Sequence, residues 1–411
     1  MYIRIELLLG GFMNFFTSKY YQVGLFFVFS FLIAGCQSNE KLNHKKFVVN
    51  ESLYIDGYFP DFQNIKIEKK EEIFALDDQM RLMVKEKLMT ERDTKKRSMK
   101  LLEHLFYKTN VALTYKSTAN ISAIEAYHSQ QANCLSLTIL AYALAKEANL
   151  YVNFQVVKIP EYWVRNASHN MLTGHVNLII TKPKDPRTEI LFRSEILTID
   201  FDPFVNKKFF PKTIISQSEI LSMFYSNKGA QALVKKQYTK AYAYLKAATT
   251  TAPNFSSAWA NLGILYKMSG YVNLAKQSYR HAIEVNRENY TAMSNLALLL
   301  DNQNDSKELI NIRKVLKNKR ESNPYYYALL ADEALYVANY ERALVYYHKA
   351  IRLNNRVHEF YFGLAKVYYA LNENKKAKNA LTRAISYNKI ESVDVRYLAK
   401  LDFLKKQEDS Y

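Results

Sequence analysis

Three residue types that could together perform thiol chemistry occur in the middle of the chain. They are Cys134, His175 and Asp200, in that order. A thiol near its ordinary pKa is only partly ionised, so an adjacent imidazole that accepts its proton makes it a better nucleophile. A carboxylate that hydrogen-bonds the imidazole fixes its tautomer and stabilises its cation. This set of residues therefore predicts nucleophilic acyl-transfer chemistry.

The segments that carry these residues have the patterns of one helix and three strands. Asn133 is a good helix N-cap, and the apolar run after it predicts a buried helix. Cys134 would then lie in the first turn, where backbone N–H groups and the helix dipole favour a thiolate. Three β-rich runs follow, and consecutive runs are expected to pair as antiparallel neighbours. These runs are 151–159, 174–181 and 189–202.

Other residues compete for two of these roles. Asp202 lies two residues after Asp200 and shares its strand face, so the sequence leaves it open as the carboxylate. His128 precedes the predicted helix, and His169 lies in the long loop before His175, so both are alternative bases. Each residue type alone is more often structural, since buried cysteines and strand-end carboxylates are common. The prediction therefore depends on their joint order.

The order of helix-borne cysteine, strand-borne histidine and strand-borne aspartate resembles transglutaminase-like domains of the papain-like fold. A Gly-His-Val strand start and an Asp-x-x-Pro strand end carry the resemblance, which covers roughly residues 120–205. The resemblance implies that Cys134 is the nucleophile, His175 the general base and Asp200 the orienting carboxylate. Asn177 stands where the family usually has an aromatic residue.

Two further roles have candidates near the nucleophile. The backbone N–H of Cys134 can help to hold an oxyanion, and Gln130 and Gln131 are candidates for a second, side-chain donor. Trp163, in the long loop before His175, is a candidate wall of a substrate cleft. The sequence has no His-Glu-x-x-His, paired Cys-x-x-Cys or glycine-rich phosphate loop. We therefore expect neither a metal nor a nucleotide cofactor.

The N-terminal segment has the features of a bacterial lipoprotein signal. An apolar run at 23–33 has about the length of a signal h-region. It leads into Ile-Ala-Gly-Cys, which resembles a lipobox and implies lipidation of Cys36; the alternative is an uncleaved anchor with a chance cysteine. Gln37, rather than aspartate, implies the outer membrane facing the periplasm. Met13 is an alternative start to Met1, because the first residues suit a signal n-region poorly.

A 34-residue period runs through the second half of the chain. From residue 256 it resembles the tetratricopeptide consensus at Trp259, Leu262, Gly263, Tyr266, Gly270, Ala275, Tyr279 and Ala282. The same register gives units that begin at 222, 256, 290, 324 and 358, of which the unit at 290 is degenerate. Small residues let paired helices approach, and large residues fill the holes between hairpins, so the units must stack. We predict an all-α superhelical solenoid over 222–389, with 390–411 as a capping helix and tail.

Length and charge bear on the number of domains and on whether the protein binds nucleic acid. The chain has 411 residues, 49% of them hydrophobic, and this length predicts more than one domain. The net charge of +18 is spread along helices without a nucleic-acid-binding motif, which favours solvated helix faces over nucleic-acid binding. We predict a signal peptide at 1–36, an extension at 37–70 and an α+β transglutaminase-like domain at 71–215, followed by the repeats.

Two functions are consistent with this organisation. In the first, a cell-envelope enzyme attacks an amide or peptide bond through a thioester, and its repeats recruit a protein or peptide partner. Hydrolysis is favoured over cross-linking. In the second, the protein is a non-catalytic, lipid-anchored scaffold or assembly factor whose papain-like module is a recognition surface. Reactivity of Cys134 distinguishes the two, since an assembly factor needs no ionised thiol.

Overall fold

The computed structural model consists of an α+β unit and a helical array. It describes residues 3–6, 49–106, 114–116, 119–159, 161, 163–166, 169–182, 195–201, 210–300, 307–388 and 397–402. The apolar run at 23–33 and Cys36 lie outside these ranges. Within the described ranges, no helix is long and apolar enough to cross a membrane.

The α+β unit, which comprises the described residues between 70 and 215, contains five helices. They are α1 (Lys70–Ile73), α2 (Asp78–Met83), α3 (Thr94–Phe106), α4 (Ala123–Ser129) and α5 (Cys134–Glu147). A π-helical turn, Val84–Leu88, extends α2. Almost every side chain of α5 is buried, because the helix is apolar all round and packs against both the sheet and the other helices. The predicted helix beginning at Cys134 is confirmed.

Nine strands occur in the described ranges. They are β1 (Ile3–Glu6), β2 (Thr114–Tyr115), β3 (Gln131–Ala132), β4 (Tyr151–Val157), β5 (Trp163–Asn166), β6 (His169–Thr173), β7 (His175–Thr181), β8 (Glu195–Ile199) and β9 (Lys212–Ile215). A four-stranded sheet has the order β8-β7-β4-β9, with every pair antiparallel. The predicted antiparallel pairing of the three β-rich runs is confirmed.

A second sheet occupies the segment that the sequence predicted to be a long loop. β5 and β6 form an antiparallel hairpin, and β1 pairs antiparallel with the other edge of β6. The loop prediction was therefore wrong. The hairpin is short and mixes polar with apolar residues, so it lacks a clear alternating pattern.

The helical array (residues 217–388) contains a hairpin in each of the five predicted units. Its helices are α6 (Gln217–Val234), α7 (Tyr238–Thr251), α8 (Ser256–Met268), α9 (Val272–Val285), α10 (Tyr290–Leu300), α11 (Lys307–Arg320), α12 (Pro324–Tyr336), α13 (Tyr340–Leu353), α14 (His358–Ala370) and α15 (Asn374–Tyr387). Helical residues 397–402 follow and pack against the last hairpin.

The second repeat shows why the consensus residues are needed. A Cβ atom on Gly263 would lie 2.6 Å from the Tyr279 ring, so a larger residue here would force the ring or the two helices to shift. Trp259 is fully buried, and its indole N–H donates to the Pro253 carbonyl at 2.9 Å. Its ring meets the edge of His281 at a centroid distance of 4.6 Å. The hairpin is thus packed by contacts that recur with the 34-residue period.

The α+β unit is docked against the first helices of the repeats. Asn120 donates to the Phe224 carbonyl at 3.0 Å and accepts from the Asn227 side chain at 3.1 Å. Further along the array, Arg320 donates to Glu161 at 3.1 Å, and both side chains are almost fully buried. The two parts of the molecule therefore share buried polar contacts.

The described part of the predicted N-terminal extension packs on the other side of the array. Tyr242 on α7 donates to Asp56 at 2.6 Å, and Tyr244 donates to Glu68 at 2.9 Å. Phe59 stacks on the Tyr242 ring at a centroid distance of 4.4 Å. Residues 49–68 are thus an ordered strap across the second helices of the first repeats.

Candidate functional site

His175 and Asp200 form a buried hydrogen-bonded pair on neighbouring strands. The distance from His175 Nε2 to Asp200 Oδ1 is 2.8 Å, and the two side chains are only 3% and 2% exposed. The register of β7 and β8 places Leu178 opposite Ile199, so the residue after Ile199 falls beside the start of β7. Because Asp200 engages Nε2, a thiol proton would have to be accepted by Nδ1.

Asn177 holds the second oxygen of the same carboxylate. Its Nδ2 donates to Asp200 Oδ2 at 2.9 Å, and the side chain is fully buried. Asn177 follows His175 by two residues, so both lie on one face of β7. In the sequence, this residue stands out only as a departure from the family pattern. Its strand-face position was the signal that could have identified it as a positioning residue.

Cys134 is the first residue of α5 and is 5% exposed. The Asn133 side chain caps the helix by accepting from the Ser136 N–H at 2.9 Å. One turn further on, the Thr138 hydroxyl donates to the Cys134 carbonyl at 2.7 Å and lies 3.5 Å from the Val176 carbonyl. The second turn of α5 therefore lies against β7 at the residue that follows His175.

The candidate oxyanion donors differ in their surroundings. Gln130 is half-buried at the end of α4, with a left-handed backbone at φ 55°. Gln131 is exposed, and its side-chain oxygen accepts from Lys116 at 3.4 Å. Asn133, which the sequence predicts only as a helix cap, is 1% exposed, and its Nδ2 has no hydrogen-bond partner within the described residues. Its place next to Cys134 makes this amide a further candidate donor.

The competing residues lie elsewhere or outside the described part of the chain. His128 Nε2 hydrogen-bonds Asp77 at 2.5 Å on the protein surface, and this bond holds the pKa of Asp77 below its usual range. Asp202 is not among the described residues, and the side chains of His169 and Trp163 are not described. Within the described ranges, no group of three or more metal-ligating side chains could hold a metal ion.

Comparison with known proteins identifies the helical part. A family model for the tetratricopeptide repeat matches residues 256–289 and 358–390. Two of the five units are thus tetratricopeptide repeats, and the array is a tetratricopeptide-like solenoid. This result confirms the predicted all-helical solenoid in the C-terminal part of the chain.

Solved structures with similar tetratricopeptide repeats show low sequence identity to the chain. PilF of Pseudomonas aeruginosa is 17% identical, with 47% of this chain and 88% of that chain covered and a TM-score of 0.29. A tetratricopeptide repeat protein of Thermus thermophilus is 16% identical, with 44% and 98% covered and a TM-score of 0.29. YrrB, described as having an unusual peptide-binding site, is 16% identical, with 43% and 90% covered and a TM-score of 0.24. No curated protein matches the chain.

Proposed function

We propose that the protein is a cell-envelope lipoprotein in which Cys134, His175 and Asp200 perform thiol-dependent acyl transfer on a protein substrate. The observation that carries the proposal is the buried His175–Asp200 hydrogen bond beside the helix that begins with Cys134. Burying a polar pair of this kind is costly, and a sheet does not need it for stability. Buried titratable pairs of this kind are concentrated at functional sites.

The chemistry follows from the roles of the three groups. His175 Nδ1 accepts the Cys134 proton, and the thiolate attacks the carbonyl carbon of an amide. The backbone N–H of Cys134, with Asn133 or Gln130 as a side-chain donor, stabilises the oxyanion. The C–N bond then breaks as the imidazolium gives its proton to the leaving amine, which leaves a thioester. Water attacks the thioester, His175 takes a proton from that water, and the carboxylic acid and the thiol are released.

Asp200 and Asn177 support the histidine in this sequence. The carboxylate stabilises the imidazolium while the proton is held on the ring. The amide of Asn177 holds the second carboxylate oxygen and so fixes the direction of the first. Hydrolysis is the proposed outcome, with transfer to an amine as the variant reaction.

The repeats supply protein binding in this proposal. Tetratricopeptide arrays are extended surfaces that are typically used to bind protein or peptide partners. Lys366 and Tyr369 on the first helix of the fifth repeat are exposed, so part of the array remains open to a partner. The lipobox-like sequence that ends at Cys36 supports a lipid anchor, which would keep the protein at the outer membrane, facing the periplasm.

A non-catalytic scaffold is the second candidate function. The repeat array alone accounts for partner binding, and the 5% exposure of Cys134 is compatible with an inert core thiol. In that case the α+β unit would serve only as a recognition surface.

Covalent labelling separates the two functions. A peptide amide with a thiol-reactive warhead is incubated with the purified protein at neutral pH, and the labelled residue is mapped by mass spectrometry. We expect labelling at Cys134, none in Cys134→Ser and a strong loss in His175→Ala. His128→Ala is the matched control, because His128 pairs with Asp77 on the surface, and it should label like the wild type. Labelling that does not depend on His175 would favour the scaffold.

A further inference from the structure

The first helices of the repeats are covered early in the array and open late in it. In the fifth repeat, the side chains of Glu359 and Lys366 are 49% and 44% exposed. Three repeats earlier, the same positions are Ser257 and Ile264, which are 1% and 0% exposed. Another part of the molecule therefore covers the face of α8 that carries Ser257 and Ile264.

Strand β1 is part of what covers this face. It lies against α6, α8 and α10, the first helices of the first three repeats. It also pairs antiparallel with β6, with Ile3 opposite Thr173 and Glu6 opposite Asn170. Residues 3–6 are therefore a strand held between a sheet edge and the repeat array.

The pairing of β1 is an addition to an existing hairpin. The sheet order is β1-β6-β5, so within the described part of the chain β1 is an edge strand that pairs with β6 alone. Strand addition of this kind uses main-chain hydrogen bonds and tolerates many side-chain sequences. Residues 3–6 also precede Cys36, so the proposed lipoprotein processing would remove them and leave the β6 edge open.

Two buried hydroxyls lie on the helices beside β1. Ser257 on α8 and Thr291 on α10 are 1% and 0% exposed. Neither hydroxyl has a hydrogen-bond partner in the described part of the chain. Buried polar groups are normally paired, and an extended peptide carries main-chain groups that could pair with them.

We propose that the outer edge of β6 binds an extended peptide of a protein substrate, and that residues 3–6 occupy this edge before processing. The inference rests on the proposed function for its biological meaning. The antiparallel register sets the direction of the peptide, since Ile3 lies opposite Thr173 and Thr173 is two residues before His175. A guest strand therefore points its amino-terminal end toward the His175–Asp200 pair.

Binding of a defined peptide tests the proposal without any turnover. The probe is a fluorescent peptide with the sequence of residues 1–8, and its anisotropy is measured with two proteins that both carry Cys134→Ala. The chain without residues 1–36 should bind it saturably. The full-length chain should bind at least about tenfold more weakly, because its own tethered segment competes at a high effective concentration. In the full-length chain, Arg4→Pro with Ile5→Pro should restore binding, because proline cannot donate to the strand pairing.

Backbone methylation provides the matched control. An edge strand pairs through the amides of alternate residues only. One probe is therefore N-methylated at the residues equivalent to Ile3 and Ile5, and the other at those equivalent to Arg4 and Glu6. One pattern should abolish binding and the other should leave it nearly unchanged.

Three results would overturn the proposal. They are no binding to the shortened chain, equal binding to the full-length chain, or equal effects of the two methylation patterns. Since the proteins in this test lack the Cys134 thiol, these outcomes are independent of whether Cys134 is reactive. Failure of strand addition and failure of the proposed catalysis are therefore separate results.

Discussion

Removing the carboxylate of Glu161 should loosen the α+β unit from the repeat array. Arg320 donates to this carboxylate at 3.1 Å, and the two side chains are 6% and 11% exposed. Arg320 also donates to the Ser294 hydroxyl at 2.7 Å. Asn323 donates to the Glu161 backbone carbonyl at 3.0 Å. The ion pair thus lies at the centre of a polar contact between the two parts.

The expected cost follows from what Glu161→Ala leaves behind. The guanidinium would remain buried without its carboxylate, and its other contacts include the Ser294 hydroxyl at 2.7 Å and the Tyr326 ring, 5.3 Å away. Removing one partner of a buried ion pair destabilises a protein by about 3–5 kcal/mol. The interface can open and let water reach the charge, so the measured loss should not exceed this range.

The surface pair between Arg280 and Glu308 is the matched control. It is also an arginine–glutamate ion pair, with Arg280 Nη2 2.8 Å from Glu308 Oε2, but its side chains are 47% and 39% exposed. Glu308→Ala should therefore cost no more than about 1 kcal/mol.

Urea unfolding of these variants is followed by far-UV circular dichroism, which reports mainly on the array, and by alkylation of Cys134, which reports on the α+β unit. A double-mutant cycle with Arg320→Met isolates the coupling. If Glu161→Ala costs no more than Glu308→Ala, the docking described here is wrong.

Three other perturbations have definite expected results. Trp259→Ala should cost about 3–5 kcal/mol by leaving a cavity, measured by urea unfolding, and a loss below about 1 kcal/mol would argue against the packing of the second repeat. Cys36→Ser should move the protein from the membrane fraction to the soluble fraction, and continued membrane flotation would exclude the lipid anchor. Burial lowers the pKa of His281, so the unfolded state takes up the proton more readily and stability should be lost as the pH falls through about 6.5. His281→Phe should flatten this loss between pH 7 and pH 5 in thermal melts, and an unchanged slope would contradict it.

The repeat array could be predicted from the sequence because its packing is periodic. Consensus positions pack at fixed spacings, as Gly263 does against Tyr279 and Gly229 against Leu245, so the 34-residue register is enough to predict the fold of the array. The start of the first helix was missed by a few residues. The capping box of Ser216 and Glu219 was a local signal that α6 begins at Gln217 rather than at 222.

The local part of the candidate site could be predicted from residue patterns, whereas the pairing of His175 with Asp200 was expected only from the residue order that resembles transglutaminase-like domains. The Asn133 cap and the apolar run after it predict the helix that begins with Cys134, because capping and burial are local properties. The bond from Asn177 to Asp200 joins two strands, and the bond from Asn227 to Asn120 joins residues 107 apart. Contacts of this kind have no periodic signal, so a single sequence gives no basis for predicting them. The β5–β6 hairpin was missed because its strands are short and mix polar with apolar residues, so they lack a clear alternating pattern.

The pH dependence of Cys134 alkylation by iodoacetamide tests the central proposal most directly. We expect the folded wild type to react readily near neutral pH, because a thiolate at a helix start beside an imidazole is the reactive form. His175→Ala should move the reactivity toward the pH of an ordinary thiol, about 8.5. Asp200→Asn should have a smaller effect in the same direction, and Asp202→Asn should have little effect. A folded wild type in which Cys134 stays unreactive at every pH short of denaturation would contradict the enzyme proposal and favour the scaffold.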